Sequence, residues 1–234
     1  MKQHVLLTIF TILLSACSAQ HDDYFPLDAG KTWVYQMHYE TMDGKWTIPY
    51  VISNLSSGKD KHGDKTYLRR SLDGRVFHYQ WDDAGLKMLQ RSRIDVKSVN
   101  PQIYANSEYL YQYPINVGTR WRGQTQSQTL IKTGPPWKTE FRIVTPVPVE
   151  NVIESMDEAV TVIAGSFQHC MKIHQKGTIH FDAGNYVGLT EVKVDEYRWY
   201  CPGVGLVKSV RHETTTNEAL DKGMMSLELE RFHS

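Results

Sequence analysis

The chain has 234 residues, a formal net charge of +0 at pH 7 and a hydrophobic content of 41%. The hydrophobic content supports a folded core rather than disorder, and the lack of any block of basic residues excludes nucleic acid as an expected partner. After the N-terminal segment, no apolar run approaches the roughly 20 residues that a membrane-spanning helix needs.

The N-terminal segment has the pattern of an export signal. Lys2 provides a positive charge, residues 5–14 are mostly apolar, and the small residues Ser15 and Ala16 precede Cys17. A charged start, a short apolar stretch and small residues before a cleavage site are typical of signal peptides. A plain secretory signal and a buried core helix are the alternatives that the pattern leaves open.

The segment Leu14-Ser15-Ala16-Cys17 resembles the lipobox of bacterial lipoprotein precursors. The resemblance implies that residues 1–16 are a signal peptide that is removed. It also implies that Cys17 receives diacylglycerol on its sulfur and a further acyl chain such as palmitate on its amine, and that residues 17–23 form a tether. Two or more acyl chains anchor a protein stably to a membrane. In a Gram-negative host, Ser18 after the cysteine implies the outer membrane of the cell envelope, facing the periplasm.

Two similar segments lie 88 residues apart in the chain. Residues 25–33 read Phe-Pro-Leu-Asp-Ala-Gly-Lys-Thr-Trp, and residues 113–121 read Tyr-Pro-Ile-Asn-Val-Gly-Thr-Arg-Trp. In both, Pro favours an extended entry, Asp or Asn two residues before Gly favours a turn, and Trp comes early in the strand that follows. The repeat predicts a β-rich domain over residues 24–234 with two halves, 24–108 and 109–234.

The remaining pattern predicts β-strands and no amphipathic helix. Short stretches rich in aromatic and β-branched residues alternate with turn signals such as Asp-Gly and Pro-Gly, which is typical of an all-β antiparallel fold. We expect about ten to twelve strands in a strongly curved sheet, as a partial barrel or a sandwich. Residues 91–112 are expected to be an irregular connection. The predicted strands cover residues 32–39, 46–52, 66–70, 76–81, 86–89, 124–132, 138–149, 159–164, 167–180, 189–200, 205–212 and 224–232.

Two further cysteines remain once Cys17 is assigned to lipidation. The strand pattern places Cys170 and Cys201 on neighbouring strands, nearly opposite each other across a turn near residues 184–186. In an oxidising compartment such a pair forms a persistent disulfide. Two separate buried thiols are the alternative.

Several segments of the mature chain resemble a group of uncharacterised β-rich bacterial lipoproteins and periplasmic proteins. They are residues 24–35, residues 162–170 and the stretch Trp-Tyr-Cys-Pro-Gly-Val-Gly-Leu-Val-Lys at residues 199–208. In that group a small residue usually stands where Cys201 stands here, which implies a local disulfide rather than a catalytic thiol. The resemblance implies a fold and brings no known reaction with it.

The sequence predicts no catalytic, cofactor-binding or metal-binding residues. His169, His174 and His180 lie on one predicted strand, where side chains alternate between the two faces, so they do not converge on one ion. The pair Asp82-Asp83 is assigned to a hairpin turn rather than a calcium loop. His212-Glu213 lacks the second histidine of a helical zinc-protease motif. We therefore expect a protein that is not an enzyme.

The expected function is that of a membrane-anchored envelope lipoprotein with a non-enzymatic role in binding, assembly or scaffolding, whose partner is an envelope protein. The alternative is a carrier of lipids or other apolar ligands that resembles the lipoprotein-sorting factors. Six Trp and thirteen Tyr could line a ligand pocket in a curved sheet. Equally, these aromatic side chains could fill the core.

Overall fold

The computed structural model describes residues 24–60, 62–93, 102–103, 107–135, 139–182 and 188–233. The predicted signal peptide, Cys17 and the tether lie outside these residues. The described residues form β-strands and the turns between them, without a helix. Accordingly, no helix in this part of the chain is long and apolar enough to cross a membrane.

Sixteen strands occur in the described residues. In chain order they are β1 (Thr32–Thr41), β2 (Gly44–Asn54), β3 (Gly58–Lys59), β4 (Lys65–Ser71), β5 (Arg75–Asp82), β6 (Gly85–Arg93), β7 (Gln102–Ile103), β8 (Glu108–Gln112), β9 (Arg120–Thr125), β10 (Ile131–Gly134), β11 (Thr139–Arg142), β12 (Val147–Val162), β13 (Gly165–Asp182), β14 (Leu189–Cys201), β15 (Gly205–Thr215) and β16 (Lys222–His233).

Fourteen of these strands form one antiparallel sheet, and β10 pairs with β11 separately. The main order is β7-β6-β5-β4-β2-β1-β16-β15-β14-β13-β12-β9, while β3 pairs with β4 and β8 pairs with β6. The predicted all-β antiparallel class is confirmed. The number of strands exceeds the expected ten to twelve because short strands such as β3 and β7 carry no sequence signal of their own.

The sheet consists of two consecutive six-strand runs. The first is β1-β2-β4-β5-β6-β8 and the second is β9-β12-β13-β14-β15-β16, and the β16–β1 ladder joins them. At the opposite junction Trp121 Nε1 of β9 donates a hydrogen bond to the Tyr109 carbonyl of β8 at 3.1 Å. The sheet therefore curls until it nearly closes into a twelve-strand barrel. The predicted boundary between residues 108 and 109 falls inside β8, and the junction lies between β8 and β9.

Because neighbouring strands run antiparallel, the barrel has two ends that can be defined by its turns. At the proximal end β1 begins at Thr32, β9 begins at Arg120 and β14 ends at Cys201. At the distal end β1 turns into β2 and β15 turns into β16.

Three parts of the predicted strand pattern are corrected. The interval 91–112 contains the end of β6 and all of β7 and β8, instead of being an irregular connection. The strand predicted over 124–132 is divided, because residues 126–130 leave the sheet between β9 and β10. The strand predicted over 138–149 is likewise divided between β11 and β12.

Three clusters of buried apolar side chains lie inside the curved sheet. The first combines residues from both ends of the strand order, including Tyr111 of β8 and Trp121 of β9, and so fills the junction between the two runs. The second is built around Trp33 and Tyr35 of β1. The third lies around Leu130 and Val147.

The outer part of the β12–β13 hairpin, residues 155–169, is called the hairpin arm. Three register shifts between Ile153 and Val160 bend it out of the regular ladder. The side chains of Val160 and Val162 pack in the second cluster, and the Ala164 amide donates to the Leu229 carbonyl at 2.9 Å. The hairpin arm therefore lies across β1 and β16.

Candidate functional site

The predicted lipid anchor, Cys17, lies outside the described residues, but the segment that follows the tether is fixed at the proximal end. Phe25 and Leu27 are only 4% and 7% exposed to solvent and belong to the first core cluster. The Tyr24 hydroxyl donates to the His169 carbonyl of the hairpin arm at 3.3 Å. The chain is thus part of the barrel from Tyr24 onward, immediately after the residues that are predicted to form a tether.

Two buried polar side chains hold this segment, and we call them the Arg69–Asn54 clamp. Arg69 Nη2 donates to the Pro26 carbonyl at 2.9 Å, and Arg69 Nε donates to Asn54 Oδ1 at 2.8 Å. Asn54 Nδ2 donates to the carbonyls of Pro26 and Asp28 at 3.0 and 2.8 Å. The clamp joins β2 and β4 to the backbone of residues 26–28.

Aromatic rings surround the Arg69 guanidinium. Its central carbon lies 4.1 Å from the ring centroid of Phe25, 4.4 Å from that of Trp33 and 5.6 Å from that of Tyr79. Burial lowers the pKa of Arg69 below its ordinary value and raises the pKa of Tyr79. Arginine nevertheless stays charged in proteins, so a cation held by ring faces and neutral oxygens lies inside the barrel. Its contacts serve positioning rather than proton transfer.

The predicted cysteine pair is joined in the structure. Cys170 of β13 and Cys201 of β14 form a disulfide with a Cα–Cα distance of 4.1 Å, and both side chains are buried. The ladder next to it pairs Met171 with Tyr200, as expected for neighbouring strands. The predicted connecting turn at 184–186 lies outside the described residues. The disulfide links the base of the hairpin arm to the proximal end of β14.

A second buried charge cluster lies further along the barrel, on β14 and β15. The guanidinium of Arg211 pairs with Glu213 and, at 2.8 Å, with Glu196. Arg211 also donates to the Gln126 carbonyl at 2.9 Å. Burial alone would raise the pKa of Glu213, but Arg211 and several hydrogen bonds lower it below its ordinary value of 4.5.

Those hydrogen bonds come from residues 127–130, which we call the strap. The Ser127 hydroxyl and the Thr129 amide donate to Glu213 Oε2 at 2.6 and 3.0 Å, and the Gln128 amide donates to Oε1 at 2.9 Å. The carboxylate takes the place of a neighbouring strand, which is why residues 126–130 leave the sheet. Glu213 was considered from sequence only as part of His212-Glu213; the alternation along β15 was the signal that it points inward.

The three histidines on β13 contact different carboxylates. His169 Nδ1 lies 2.6 Å from Asp157, and His180 Nε2 lies 2.9 Å from Glu191. His174 lies between two carboxylates and stacks on Tyr197 with the ring centroids 4.3 Å apart. Among the described residues no group of three or more His, Cys, Asp or Glu side chains could hold a metal ion. The structure does not bring these histidines together.

Asp82 forms the predicted hairpin turn between β5 and β6. Its Oδ1 accepts hydrogen bonds from the amides of Ala84 and Gly85 at 2.9 and 3.0 Å, and its Oδ2 accepts one from the Tyr109 hydroxyl at 2.8 Å. A depression that opens widely to solvent lies beside this turn, between β4 and β5. One carboxylate oxygen of Asp82 thus shapes the turn, and the other joins the turn to β8.

The exposed large apolar side chains are concentrated at the two ends of the barrel. Three lie in turns of the proximal end, namely Tyr113, Val117 and Ile163. A larger group, which we call the distal rim, lies at the other end. The distal rim consists of Met42, Trp46, Ile48, Phe141, Val144 and Leu189. Leu72 lies apart from it in the β4–β5 turn, because its amide donates to the Val51 carbonyl in the proximal half of β2. The sequence gives no signal for the distal rim, because most of its members are far apart in the chain and only the fold of the barrel brings them to one end.

The distal half of β2 borders the distal rim and has one unpaired edge. β2 pairs with β1 along nearly its whole length, whereas β4 pairs only with Ile52–Asn54. Within the described residues, the other edge of 45–50 faces no strand. Trp46 stacks on Tyr39 with centroids 5.5 Å apart, and an open depression lies beside them. Lys45 and Pro49 on this edge are residue types that limit strand-to-strand aggregation.

Comparisons with known proteins give two structural likenesses. No family model matches the chain, and no curated protein matches it. One solved structure, described as a "putative lipoprotein" from Parabacteroides distasonis, has 13% identity and a TM-score of 0.42 and covers 91% of this chain and 99% of its own. Another, described as a "putative exported protein" with a YmcC-like fold from Bacteroides fragilis, has 14% identity and a TM-score of 0.41 and covers 91% and 100%.

Proposed function

We propose that this protein is a non-enzymatic lipoprotein of the cell envelope, anchored through acyl chains on Cys17, whose barrel binds an envelope protein with its distal rim. One observation carries the proposal. The Arg69–Asn54 clamp fixes the chain at the proximal end immediately after the predicted tether, and the larger exposed apolar surface lies at the opposite end. The barrel then stands between the membrane and its partner.

The anchor is supported by the export pattern and by the lipobox. Cleavage before Cys17 would leave a short tether that leads directly into the clamped segment, and Ser18 favours the outer membrane, with the domain in the periplasm. Mass analysis of the mature protein extracted from membranes tests this. We expect a chain that begins at Cys17 and carries diacylglycerol and an amide-linked acyl chain such as palmitate. A soluble, unmodified product or a chain that still begins at Met1 would contradict the anchor.

The binding role is supported by the composition of the distal rim. Exposed apolar patches on soluble domains mark interaction surfaces, and Trp is enriched among the residues that dominate interface energies. Trp46 and Ile48 lie two residues apart on β2, next to the strand edge that β4 leaves unpaired. This combination fits a polypeptide partner better than a free lipid.

Site-specific photocrosslinking in intact membranes separates the alternatives. A photoreactive residue replaces Ile48, and a matched control replaces Lys193, an exposed residue on the barrel wall. We expect a discrete adduct of protein mass at position 48 that is absent at position 193 and is lost in the Trp46→Ala variant. An adduct of lipid mass would favour a carrier of apolar ligands instead. Equal adducts at the two positions would contradict a specific binding surface.

A further inference from the structure

We propose that the proximal end of the barrel rests directly on the lipid bilayer, with the turns that carry Val117 and Ile163 in contact with the headgroup region. The inference rests on the proposed acyl anchor and extends it, because an anchor alone leaves the orientation of the domain open. It assigns a lipid surface to one end of the barrel and leaves the distal rim for a protein partner.

The chain between the proposed anchor and the barrel is short. Seven residue steps separate Cys17 from Tyr24, which at full extension span at most about 25 Å. The clamp holds residues 26–28 to β2 and β4, so the barrel contributes no additional slack. The ten residues of β1 alone cover roughly 33 Å toward the distal end. The proximal end is therefore the part of the barrel nearest the bilayer.

The proximal turns expose apolar side chains. Val117 is 63% exposed in the turn before β9, and Ile163 is 56% exposed at the tip of the hairpin arm. Tyr113 is 38% exposed in the same turn as Val117 and stacks on Trp81. Tyrosine is favoured where an apolar surface meets water. These residue types suit shallow contact with a membrane interface.

Backbone hydrogen bonds hold both turns to the barrel. The Gly118 amide, next to Val117, donates to the Ile153 carbonyl at 2.8 Å. The Ala164 amide, next to Ile163, donates to the Leu229 carbonyl at 2.9 Å. Both side chains are therefore presented on backbone that is tied to the barrel. No ordering of a loop is needed before they meet the bilayer.

Fluorescence quenching in vesicles tests this orientation. Single cysteines are introduced by Val117→Cys, Ile163→Cys and, as a distal control, Val144→Cys, whose native side chain is 68% exposed. In the lipidated protein only the added thiol is free to react with a fluorophore, because Cys17 is acylated and Cys170 and Cys201 are joined. The labelled proteins are reconstituted into phosphatidylethanolamine–phosphatidylglycerol vesicles that contain brominated lipid.

We expect several-fold stronger quenching at positions 117 and 163 than at position 144. Vesicle flotation, measured on the same samples, reports on the anchor separately. Protein that floats but shows equal quenching at the three positions overturns the orientation while leaving the anchor intact, and stronger quenching at position 144 overturns it in favour of contact through the distal rim. Protein of correct lipid mass that does not float overturns both proposals.

Discussion

Gly30 and Gly118, which lie 88 residues apart in the chain, occupy equivalent positions in two copies of one turn. Their φ angles are +89° and +92°. The Gly30 amide donates to the Asn54 carbonyl at 3.1 Å, and the Gly118 amide donates to the Ile153 carbonyl at 2.8 Å. In return, the Asn54 amide donates to the Lys31 carbonyl, and the Ile153 amide donates to the Thr119 carbonyl. The repeat in the sequence is thus a repeat of hydrogen bonds that starts each six-strand run.

Gly118→Ala is expected to destabilise the protein through backbone strain alone. A Cβ at Gly118 would meet nothing within 4 Å, so no steric clash contributes. Residues with a Cβ pay roughly 1–2 kcal/mol in the left-handed region, and we expect a loss of that size in the free energy of unfolding. Urea denaturation measures it. Gly30→Ala should lose about as much, because its backbone angle and surroundings are equivalent.

Gly58→Ala is the matched control for the two turn glycines. Gly58 is exposed, a Cβ there also meets nothing within 4 Å, and its φ lies outside the positive region. We expect a change within about 0.5 kcal/mol, as for ordinary surface positions. If Gly118→Ala were as neutral as Gly58→Ala, the turn would not require its left-handed conformation.

The turns that precede β1 and β9 could be predicted from sequence because each is encoded locally, although the strand predicted to begin at residue 124 begins at Arg120. Pro, the turn glycine and the following Trp stand within nine residues in both copies, and the Trp side chains are buried as expected. The strap could not be predicted in this way. Residues 124–132 are predicted as one strand, but the amides of residues 128–130 bind the carboxylate of Glu213, more than 80 residues later in the chain. Local propensity carries no information about such a partner.

The clamp was missed for a different physical reason. Arg69 and Arg70 are identical side chains on adjacent positions of β4, and alternation requires one to face inward and the other outward. Which of them points inward depends on the register between β2 and β4, which pairs Asn54 with Arg69. A shift of one residue would exchange their environments. The sequence shows the alternation but does not fix the register.

Arg69→Met is expected to release the segment that follows the tether. The variant keeps an apolar side chain among the aromatic rings but leaves Asn54 Oδ1 without its donor and the Pro26 carbonyl with only Asn54. An unsatisfied buried acceptor costs about 1–3 kcal/mol. We expect a loss of that size and faster hydrogen exchange confined to the neighbourhood of residues 25–28, measured by mass spectrometry.

Arg70→Met provides the control, since Arg70 is the exposed neighbour on the same strand. It should leave both the unfolding free energy and the exchange rates near residues 25–28 unchanged. Equal effects of the two substitutions would show that removal of positive charge from β4, rather than loss of the clamp, is responsible. A global loss without local exchange near residue 26 would also contradict the assignment of the clamp.

Glu213→Gln is expected to loosen the strap. It should also change how the free energy of unfolding depends on pH under acidic conditions. Breaking one partner of a buried ion pair costs roughly 3–5 kcal/mol, because Arg211 keeps its buried charge. The pKa of Glu213 in the folded state lies below its ordinary value of 4.5. The carboxylate therefore contributes to the free energy of unfolding above pH 4.5, and this contribution is lost as the pH falls through the pKa of the folded state. The difference in the free energy of unfolding between wild type and variant should therefore be constant near neutral pH and shrink below about pH 4.5.

Glu150→Gln is the matched control for this pH dependence. Glu150 pairs with Arg120 on the surface, where both side chains are about half exposed. Exposed pairs contribute only about 0–1 kcal/mol, so we expect little change in urea denaturation at any pH. A wild-type-to-Glu213→Gln difference that stayed constant down to pH 3 would contradict the assignment of the pH dependence to this carboxylate.

The disulfide between Cys170 and Cys201 is expected to stabilise the barrel mainly through its effect on the unfolded chain. β13 and β14 are already paired by a long ladder, so the folded strands do not need the bond to find each other. The bond closes a loop with a sequence separation of 31, which in the chain-entropy model corresponds to roughly 3–4 kcal/mol. The double variant Cys170→Ala/Cys201→Ala should lose about that much in the free energy of unfolding and keep its β-sheet circular dichroism.

Reduction of the wild type is the control, and it should lower the free energy of unfolding by a similar amount and leave the double variant unaffected. Two free thiols in the native protein, detected by alkylation under non-reducing conditions, would contradict the pairing itself.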